Sequence, residues 1–189
     1  MQPLHSRDAQ IAPPPLNKDA SLKTEWGAVL QYKVNSDWNE TGPNSSDSSA
    51  FVQYGSEDGF LWIDITNTKG SLYKYNSEST YSDWIDYQEE YHTQAPKDQD
   101  DPTYTDYSLE EIGTKQIGEL EFRLYKMTYT VSFPDSFYEK VKAEKSDFKQ
   151  NDSATYYYAL IKDGPHDLEI TANSEPLLNE FLGTLSIKW

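Results

Sequence analysis

The side chains that could carry out catalysis are few, and they are scattered along the chain. There is no cysteine, which excludes disulfides and thiolate chemistry. The histidines are His5, His92 and His166. A nucleophilic enzyme needs a nucleophile within hydrogen-bonding distance of a base, and a zinc site needs clustered His or Cys ligands. Neither a Gly-x-Ser-x-Gly motif nor a His-x-x-x-His spacing is present. The sequence therefore favours a protein without nucleophilic or zinc-dependent catalysis.

Acidic side chains dominate the chain. The net charge is −16, and the segment from Glu78 to Glu111 holds eleven acidic residues against one lysine, Lys97. Such a protein is repelled by nucleic acid and by anionic membrane surfaces, so we expect no nucleic-acid partner. Two carboxylates can cleave a glycosidic bond. With 32 Asp and Glu residues, however, a pair is always available on paper, and composition gives a hydrolase no specific support.

Three aspartates lie close enough in sequence to suggest a calcium site. Asp98, Asp100 and Asp101 could donate carboxylate oxygens to Ca²⁺. They lack the glycine at the sixth position and the glutamate at the twelfth that define an EF-hand loop. A solvated acidic loop accounts for the same residues equally well. Calcium is thus the one cofactor that the sequence leaves open, and we expect none otherwise.

Aromatic residues are abundant, with 5 Trp and 15 Tyr. Exposed aromatic side chains stack on sugar rings or anchor protein partners, whereas buried ones fill the core and the sheet edges. The candidates for a ligand-binding surface lie in loops or on strand faces that are not clearly apolar: Trp38, Trp62, Tyr73, Tyr75, Tyr104 and Tyr107. Packing is the alternative for each of them.

The elements that must position these residues are mostly β-strands, in which alternate side chains face opposite sides. Trp26 to Val34 and Phe60 to Thr66 alternate in this way and predict two strands. Asn35 to Ser49, rich in Asn, Ser and Asp, is predicted to be a loop. Gly113 is predicted to begin a turn, followed by one long strand from Ile117 to Ser132. The apolar residues of that strand change from one alternate set to the other, which predicts a β-bulge.

A helix is predicted from Thr80 to His92. Tyr81 and Trp84 begin an apolar stripe at helical spacing, and Thr80 with Asp83 forms a variant of the capping box. The acidic residues of the segment occupy its other side. We therefore expect this helix to pack against a sheet through its aromatic stripe.

The block from Tyr156 to Trp189 predicts two strands around a turn, then a helix and a short final strand. Ser174 is placed to cap the helix and Gly183 to end it. Core packing accounts for the alternating strands and the apolar helix. We therefore expect a binding surface elsewhere: on the loop after Val34, on the Trp62 strand or in the acidic segment.

The chain is predicted to divide into a tail and one folded domain. Residues 1–25 carry no net charge, contain three consecutive prolines and lack periodicity, which is typical of a flexible tether. Residues 26–189 are long enough to bury a core and are predicted to form a single α+β domain, with helices packed on the faces of an antiparallel sheet. No apolar run approaches the roughly 20 residues that a membrane span needs.

The order of these elements resembles the PsbP-like fold, which is shared by small secreted lipoproteins of Gram-positive bacteria. The resemblance is carried by a strand followed by a helix, a strand that begins with glycine, and a closing helix and strand: Phe60 to Ile65 with Tyr81 to Tyr91, Ile117 to Phe122, and Tyr157 to Ile161 with Leu182 to Ile187. It covers most of residues 26–189 and implies an α/β/α sandwich. It brings no functional motif, and fold alone does not give function.

The resemblance further implies an extracellular domain, anchored to the membrane by a lipid attached upstream of Met1. The leading hypothesis is a monomeric, non-enzymatic binding or accessory domain that contacts a protein or glycan of the cell envelope. The alternatives are carbohydrate binding by exposed Trp and Tyr, or an enzyme that acts on a polysaccharide. A groove with exposed aromatic residues would favour carbohydrate binding, whereas carboxylates facing one another in a cleft would favour the enzyme.

Overall fold

The computed structural model describes residues 12–56, 59–67, 80–98, 101–145, 148–162 and 166–189. These residues form ten strands and three helices. The strands are β1 Lys18–Lys23, β2 Val29–Val34, β3 Asn39–Ser45, β4 Ser49–Gly55, β5 Phe60–Thr66, β6 Thr103–Ile117, β7 Leu120–Ser132, β8 Asn151–Ile161, β9 Asp167–Ala172 and β10 Ser186–Lys188. The helices are α1 Tyr81–Thr93, α2 Asp135–Lys142 and α3 Glu175–Thr184.

The strands form two antiparallel sheets. The smaller sheet has the order β1-β2-β10, and the larger sheet has the order β3-β4-β5-β9-β8-β7-β6. Strand β9 lies between β5 and β8, so it joins the hairpins that precede α1 to the meander that follows it. The predicted α+β class with an antiparallel sheet is confirmed.

The main core lies between the two sheets, on what we call the inner face of the larger sheet. Alternate residues of β5 and β9 point into it, and helix α3 closes it. Helix α3 begins as predicted, because the Ser174 hydroxyl accepts a hydrogen bond from the Leu177 amide at 3.4 Å. Its predicted end is wrong: Gly183 lies within the helix, and Leu185 is the C-cap. The apolar stripe is fully buried: Leu177, Leu178, Phe181 and Leu182.

Helix α1 packs on the opposite, outer face of the larger sheet. Its Trp84 contacts Tyr125 of β7 and Tyr158 of β8, with ring centroids 5.3 and 5.2 Å apart. The predicted capping box is confirmed. The Thr80 hydroxyl accepts from the Asp83 amide at 3.1 Å, and the Asp83 carboxylate accepts from the Thr80 amide at 2.9 Å.

Both faces of strand β7 are covered by other elements. This explains why its apolar residues change from one alternate set to the other. Phe122 and Leu124 point into the main core, and Tyr125 and Met127 pack under α1. Strand β7 pairs with β8 without any register shift. The predicted bulge in β7 is therefore wrong. The apolar residues change sides because the covered face changes, while the backbone register stays constant.

The predicted turn at Gly113 is also wrong, because β6 continues through it to Ile117. Gly113 lies at one of two register shifts in β6, where an extra residue is inserted opposite β7. The chain reverses at Gly118 and Glu119 instead. Gly118 has φ +59°, in the left-handed region that suits glycine at a hairpin turn.

The predicted tether extends too far into the chain. Strand β1 pairs with β2 over six residues, and both Leu16 and Leu22 are buried in the main core. The predicted domain start at Trp26 is therefore wrong. The segment contains too few apolar residues to show a period of two, and the pairing with β2 supplies the missing stabilisation.

The predicted loop from Asn35 to Ser49 contains an edge strand. Strand β3 pairs with β4, and all seven of its side chains are exposed. A strand with both faces in solvent shows no apolar alternation, so the sequence did not predict it. Pro43 lies at a register shift of this edge, a position where a missing amide proton is tolerated.

Candidate ligand-binding site

Within the described residues, α1 covers one side of the outer face of the larger sheet and leaves the other side open. Over β5, β9 and the end of β8, the structure describes an open groove of about 460 Å³. This volume is within the range of small-molecule sites. The floor of the groove is made by the outward-facing residues of three adjacent strands.

The register of β5 and β9 arranges this floor in rows. Three pairs lie side by side across the two strands: Trp62 with Thr171, Asp64 with Glu169, and Thr66 with Asp167. Successive rows are about 7 Å apart, because two residues separate them along each strand. Strand β8 adds Tyr156 and Tyr158 on the far side, and Lys162 follows its last residue.

One end of the groove is aromatic. The rings of Phe60 and Tyr156 lie across the groove with centroids 6.4 Å apart in an edge-to-face arrangement. Trp62 is 40% exposed and contacts Phe51 of β4, with ring centroids 6.1 Å apart. The indole therefore presents a free face to solvent at the start of the rows.

The middle row is acidic. Asp64 and Glu169 are direct cross-strand neighbours, and both line the groove. The indole nitrogen of Trp84 donates to Oε2 of Glu169 at 3.0 Å, so α1 helps to orient this carboxylate. Like charges directly opposite one another destabilise a sheet, so this row adds nothing to the pairing of the two strands.

The far end holds a buried ion pair. Nζ of Lys162 lies 3.7 Å from Oδ2 of Asp167, and the two side chains are 7% and 5% exposed. Burying two charges is expensive, and a salt bridge often fails to repay it. A buried pair that lines a groove is therefore a candidate functional feature.

The two tyrosines of β8 that line the groove, Tyr156 and Tyr158, remain protonated at ordinary pH. Burial, followed by the charge of Glu169, holds the pKa of Tyr158 well above its usual range. Burial also raises the pKa of Tyr156. Their hydroxyl groups therefore act as neutral hydrogen-bonding groups rather than as bases.

The structure places the predicted site residues in different surroundings. Trp62 lies in the groove, but Trp38 is 8% exposed and belongs to the main core. Its ring packs over Gly59, where a Cβ atom would lie 2.5 Å from the indole. Trp38 is therefore buried in the core and is not the exposed loop residue that we expected. Tyr73 and Tyr75 lie outside the residues that the structure describes.

Tyr104 and Tyr107 belong to a separate aromatic cluster around His92. Tyr107 stacks on the imidazole at 5.1 Å with an interplanar angle of 6°, and Tyr104 contacts it at 5.0 Å. Nδ1 of His92 lies 2.8 Å from the Gln88 carbonyl and must donate to it. Burial lowers the pKa of His92 and raises the pKa of Tyr107 to about 12. Both tyrosines are half-buried and contribute to packing under the end of α1.

The described part of the acidic loop after α1 does not arrange carboxylates around a calcium position. Oδ2 of Asp101 accepts hydrogen bonds from the amides of Lys97 and Asp98, at 3.1 and 3.0 Å. Asp100 lies outside the described residues. Across the described parts of the chain, no group of three or more His, Cys, Asp or Glu side chains is arranged to hold a metal ion.

Comparison with known proteins gave no match, either to a model of a protein family or to a curated protein sequence. None of the described helices is long and apolar enough to cross a membrane.

Sequence reasoning missed most of the groove. Lys162, Asp167 and Glu169 belong to the C-terminal block that we expected to serve packing alone, and Asp64 is distant from them in sequence. The alternation of Asp167, Glu169 and Thr171 was the available signal. It indicates one polar face of a strand, but only the pairing of β9 with β5 shows what faces it.

Proposed function

We propose that this protein is a non-enzymatic binding domain of the cell envelope and that its ligand binds in the groove over β5 and β9. The observation that carries the proposal is the exposed indole of Trp62 on the floor of a groove that ends in buried charges. The envelope location rests on the resemblance to extracellular lipoproteins. A surface-anchored domain of this kind would meet polymers of the cell wall.

Exposure of Trp62 is unusual for this molecule. Among the described residues, only Trp62, Tyr87 and Tyr91 are large, apolar and exposed. Tyr87 and Tyr91 stack on one another on the surface of α1, with ring centroids 6.1 Å apart. Trp62 instead leaves one face open within a concave surface, where a ligand would bury it. Tryptophan is also among the residues that most often dominate binding energy.

A polysaccharide-acting enzyme is the second candidate, and the Asp64 and Glu169 pair favours it. In glycosidases the two carboxylates flank the scissile bond from opposite sides. Here both rise from the same floor, and Glu169 is held by the indole of Trp84. This arrangement supports hydrogen bonding to a ligand better than attack on it. Asp64→Asn distinguishes the two, since it abolishes the release of reducing sugar ends only if the pair is catalytic.

The test is co-sedimentation of the purified chain with insoluble cell walls from a Gram-positive bacterium. We expect the protein to sediment with the walls and Trp62→Ala to weaken this binding at least fivefold. Tyr87→Ala is the matched control, because Tyr87 is 43% exposed but lies on α1, away from the groove. Its binding should stay within twofold of the wild type. Equal binding by the two variants would exclude the groove as the binding site.

A further inference from the structure

Lys162 offers hydrogen-bond donors inside the groove. Its ammonium group carries three N–H donors. Among the described residues, its ammonium group makes an ion pair with Asp167, and at 3.7 Å this distance is too long for a hydrogen bond. The side chain is more than nine-tenths buried and lines the groove. A ligand that supplies acceptor oxygens there would satisfy donors that the described residues leave unsatisfied.

Asp167 places acceptor oxygens directly beside these donors. A carboxylate has about four lone-pair positions, so it can accept from a ligand while it remains paired with Lys162. A ligand with two adjacent hydroxyl groups matches this pair, because one hydroxyl can accept from Lys162 while its neighbour donates to Asp167. The Thr66 hydroxyl, next to Asp167 across the strands, can take part in the same contacts.

The charges of the groove disfavour an anionic ligand, because three carboxylates and one ammonium group line it. The net charge of −16 and the Asp64 and Glu169 pair oppose an anion. At the far end the ammonium group of Lys162 is paired with the Asp167 carboxylate, so the two charges largely compensate each other. A neutral ligand that both donates and accepts hydrogen bonds avoids the repulsion of an anion and matches this mixed pair of donor and acceptor groups.

The distance between the two ends of the groove sets a minimum ligand length. Trp62 and the row of Thr66 and Asp167 are four residues apart along β5, which corresponds to about 13 Å. A ligand that stacks on Trp62 and reaches Lys162 must therefore be longer than one sugar ring. Neutral sugar rings combine an apolar face for stacking with hydroxyl groups at the ring edge.

We propose that the groove binds a neutral oligosaccharide, with one ring stacked on Trp62 and a pair of adjacent hydroxyl groups held by Lys162 and Asp167. This inference rests on the proposed binding function and specifies its ligand class. It assigns Lys162 as the residue that selects a hydroxyl-rich ligand.

Mild periodate treatment of the cell walls tests the ligand class without altering the protein. Periodate cleaves the carbon–carbon bond between two carbons that carry adjacent hydroxyl groups, leaves two carbonyl groups and is itself reduced to iodate. We expect periodate-treated walls to lose at least tenfold in binding, and protease-treated walls to bind normally. If periodate-treated walls bind normally while protease-treated walls do not, the oligosaccharide is excluded but the binding function stands. Untreated walls that never bind would contradict both.

Two variants test the assigned residues. Lys162→Met should weaken binding to untreated walls about tenfold, the range expected for a hydrogen bond to a charged group. Thr66→Val keeps the shape of the side chain and should weaken binding about threefold. A melting curve of each variant separates lost contacts from lost folding. If Lys162→Met does not fold, Thr66→Val and the periodate treatment decide the proposal. Unchanged binding by both folded variants overturns the role of this end of the groove.

Discussion

The two halves of the outer sheet face differ in how far their aromatic side chains are covered. Under α1, Trp84 is fully buried between Tyr125 and Tyr158. Over β5 and β9 the same face carries the exposed Trp62 and a series of charged side chains. Both halves are rich in aromatic residues, so composition does not distinguish them.

What distinguishes the halves is whether a helix supplies the second layer. Beneath α1 the aromatic rings exclude water, and the polar atom of Trp84 is satisfied by Glu169 at the boundary. Beyond that boundary, charged residues such as Lys162 and Asp167 are buried at a free-energy cost that packing does not explain. The first half therefore stabilises the fold, and the second half is where we propose that a ligand binds.

The largest expected contrast in stability is between variants of Trp84 and Trp62. Trp84→Ala removes a fully buried indole and should lower the free energy of unfolding by about 3–5 kcal/mol. Trp62→Ala removes a partly exposed indole and should lower it by less than about 1 kcal/mol. Urea unfolding measured by circular dichroism gives both values. Similar losses in the two variants would remove the distinction between a packing half and a binding half.

The next contrast concerns the buried ion pair. Lys162→Met removes the ammonium group beside the buried Asp167 carboxylate and should destabilise the fold by about 3 kcal/mol. The double variant Lys162→Met with Asp167→Leu removes both charges and should recover most of this loss. Chemical denaturation of the three proteins measures it. If the double variant is as unstable as the single one, the ion pair itself stabilises the fold. Its burial would then be explained without a ligand.

A smaller effect is expected at the start of α1, the helix that separates the halves. Thr80→Ala removes the side-chain part of the capping box and should cost about 1 kcal/mol. Ser82→Ala serves as the control, because Ser82 is exposed in the first turn of α1 and takes no part in the cap. It should change stability by less than about 0.5 kcal/mol. Thermal melts that shift equally for both variants would show that the cap does not hold α1 in place.

The smallest effect is a pH dependence at the other end of α1. Burial lowers the pKa of His92 in the folded protein, so the unfolded chain binds a proton there at a higher pH than the folded chain does. The stability contribution of neutral His92 is complete above the unfolded pKa of about 6.5 and decreases as the pH falls below it. His92→Gln should therefore flatten the loss of stability between pH 7 and 5. Parallel curves for the variant and the wild type would contradict this.

The sequence allowed the covered half to be predicted because its signals are local. Thr80, Asp83 and Trp84 lie within five residues, so their spacing predicts the helix, its cap and its buried stripe together. Ser174 and the apolar residues that follow it predict helix α3 in the same way, although they do not predict where it ends. We misinterpreted one signal, the change of the apolar residues of β7 from one alternate set to the other. That change depends on which faces of the strand other elements cover.

The groove could not be predicted because its residues meet only through strand pairing. Asp64 and Glu169 come from strands that are far apart in the sequence, and the position of β9 between β5 and β8 brings them together. From the sequence, Asp167 and Thr171 belong to the solvent face of an amphipathic strand, yet both are buried. The burial of Trp38 was missed for the related reason that Gly59, on which its ring packs, is distant in the sequence.

The central position of β9 also orders the assembly of the protein. The β3-β4-β5 and β6-β7-β8 groups each consist of hairpin neighbours and can pair as soon as they have been synthesised. They become one sheet only when β9, close to the end of the chain, inserts between them. The groove spans this junction. The groove is therefore completed last, so a nascent chain whose β9 has not yet been synthesised has both groups of strands but no groove.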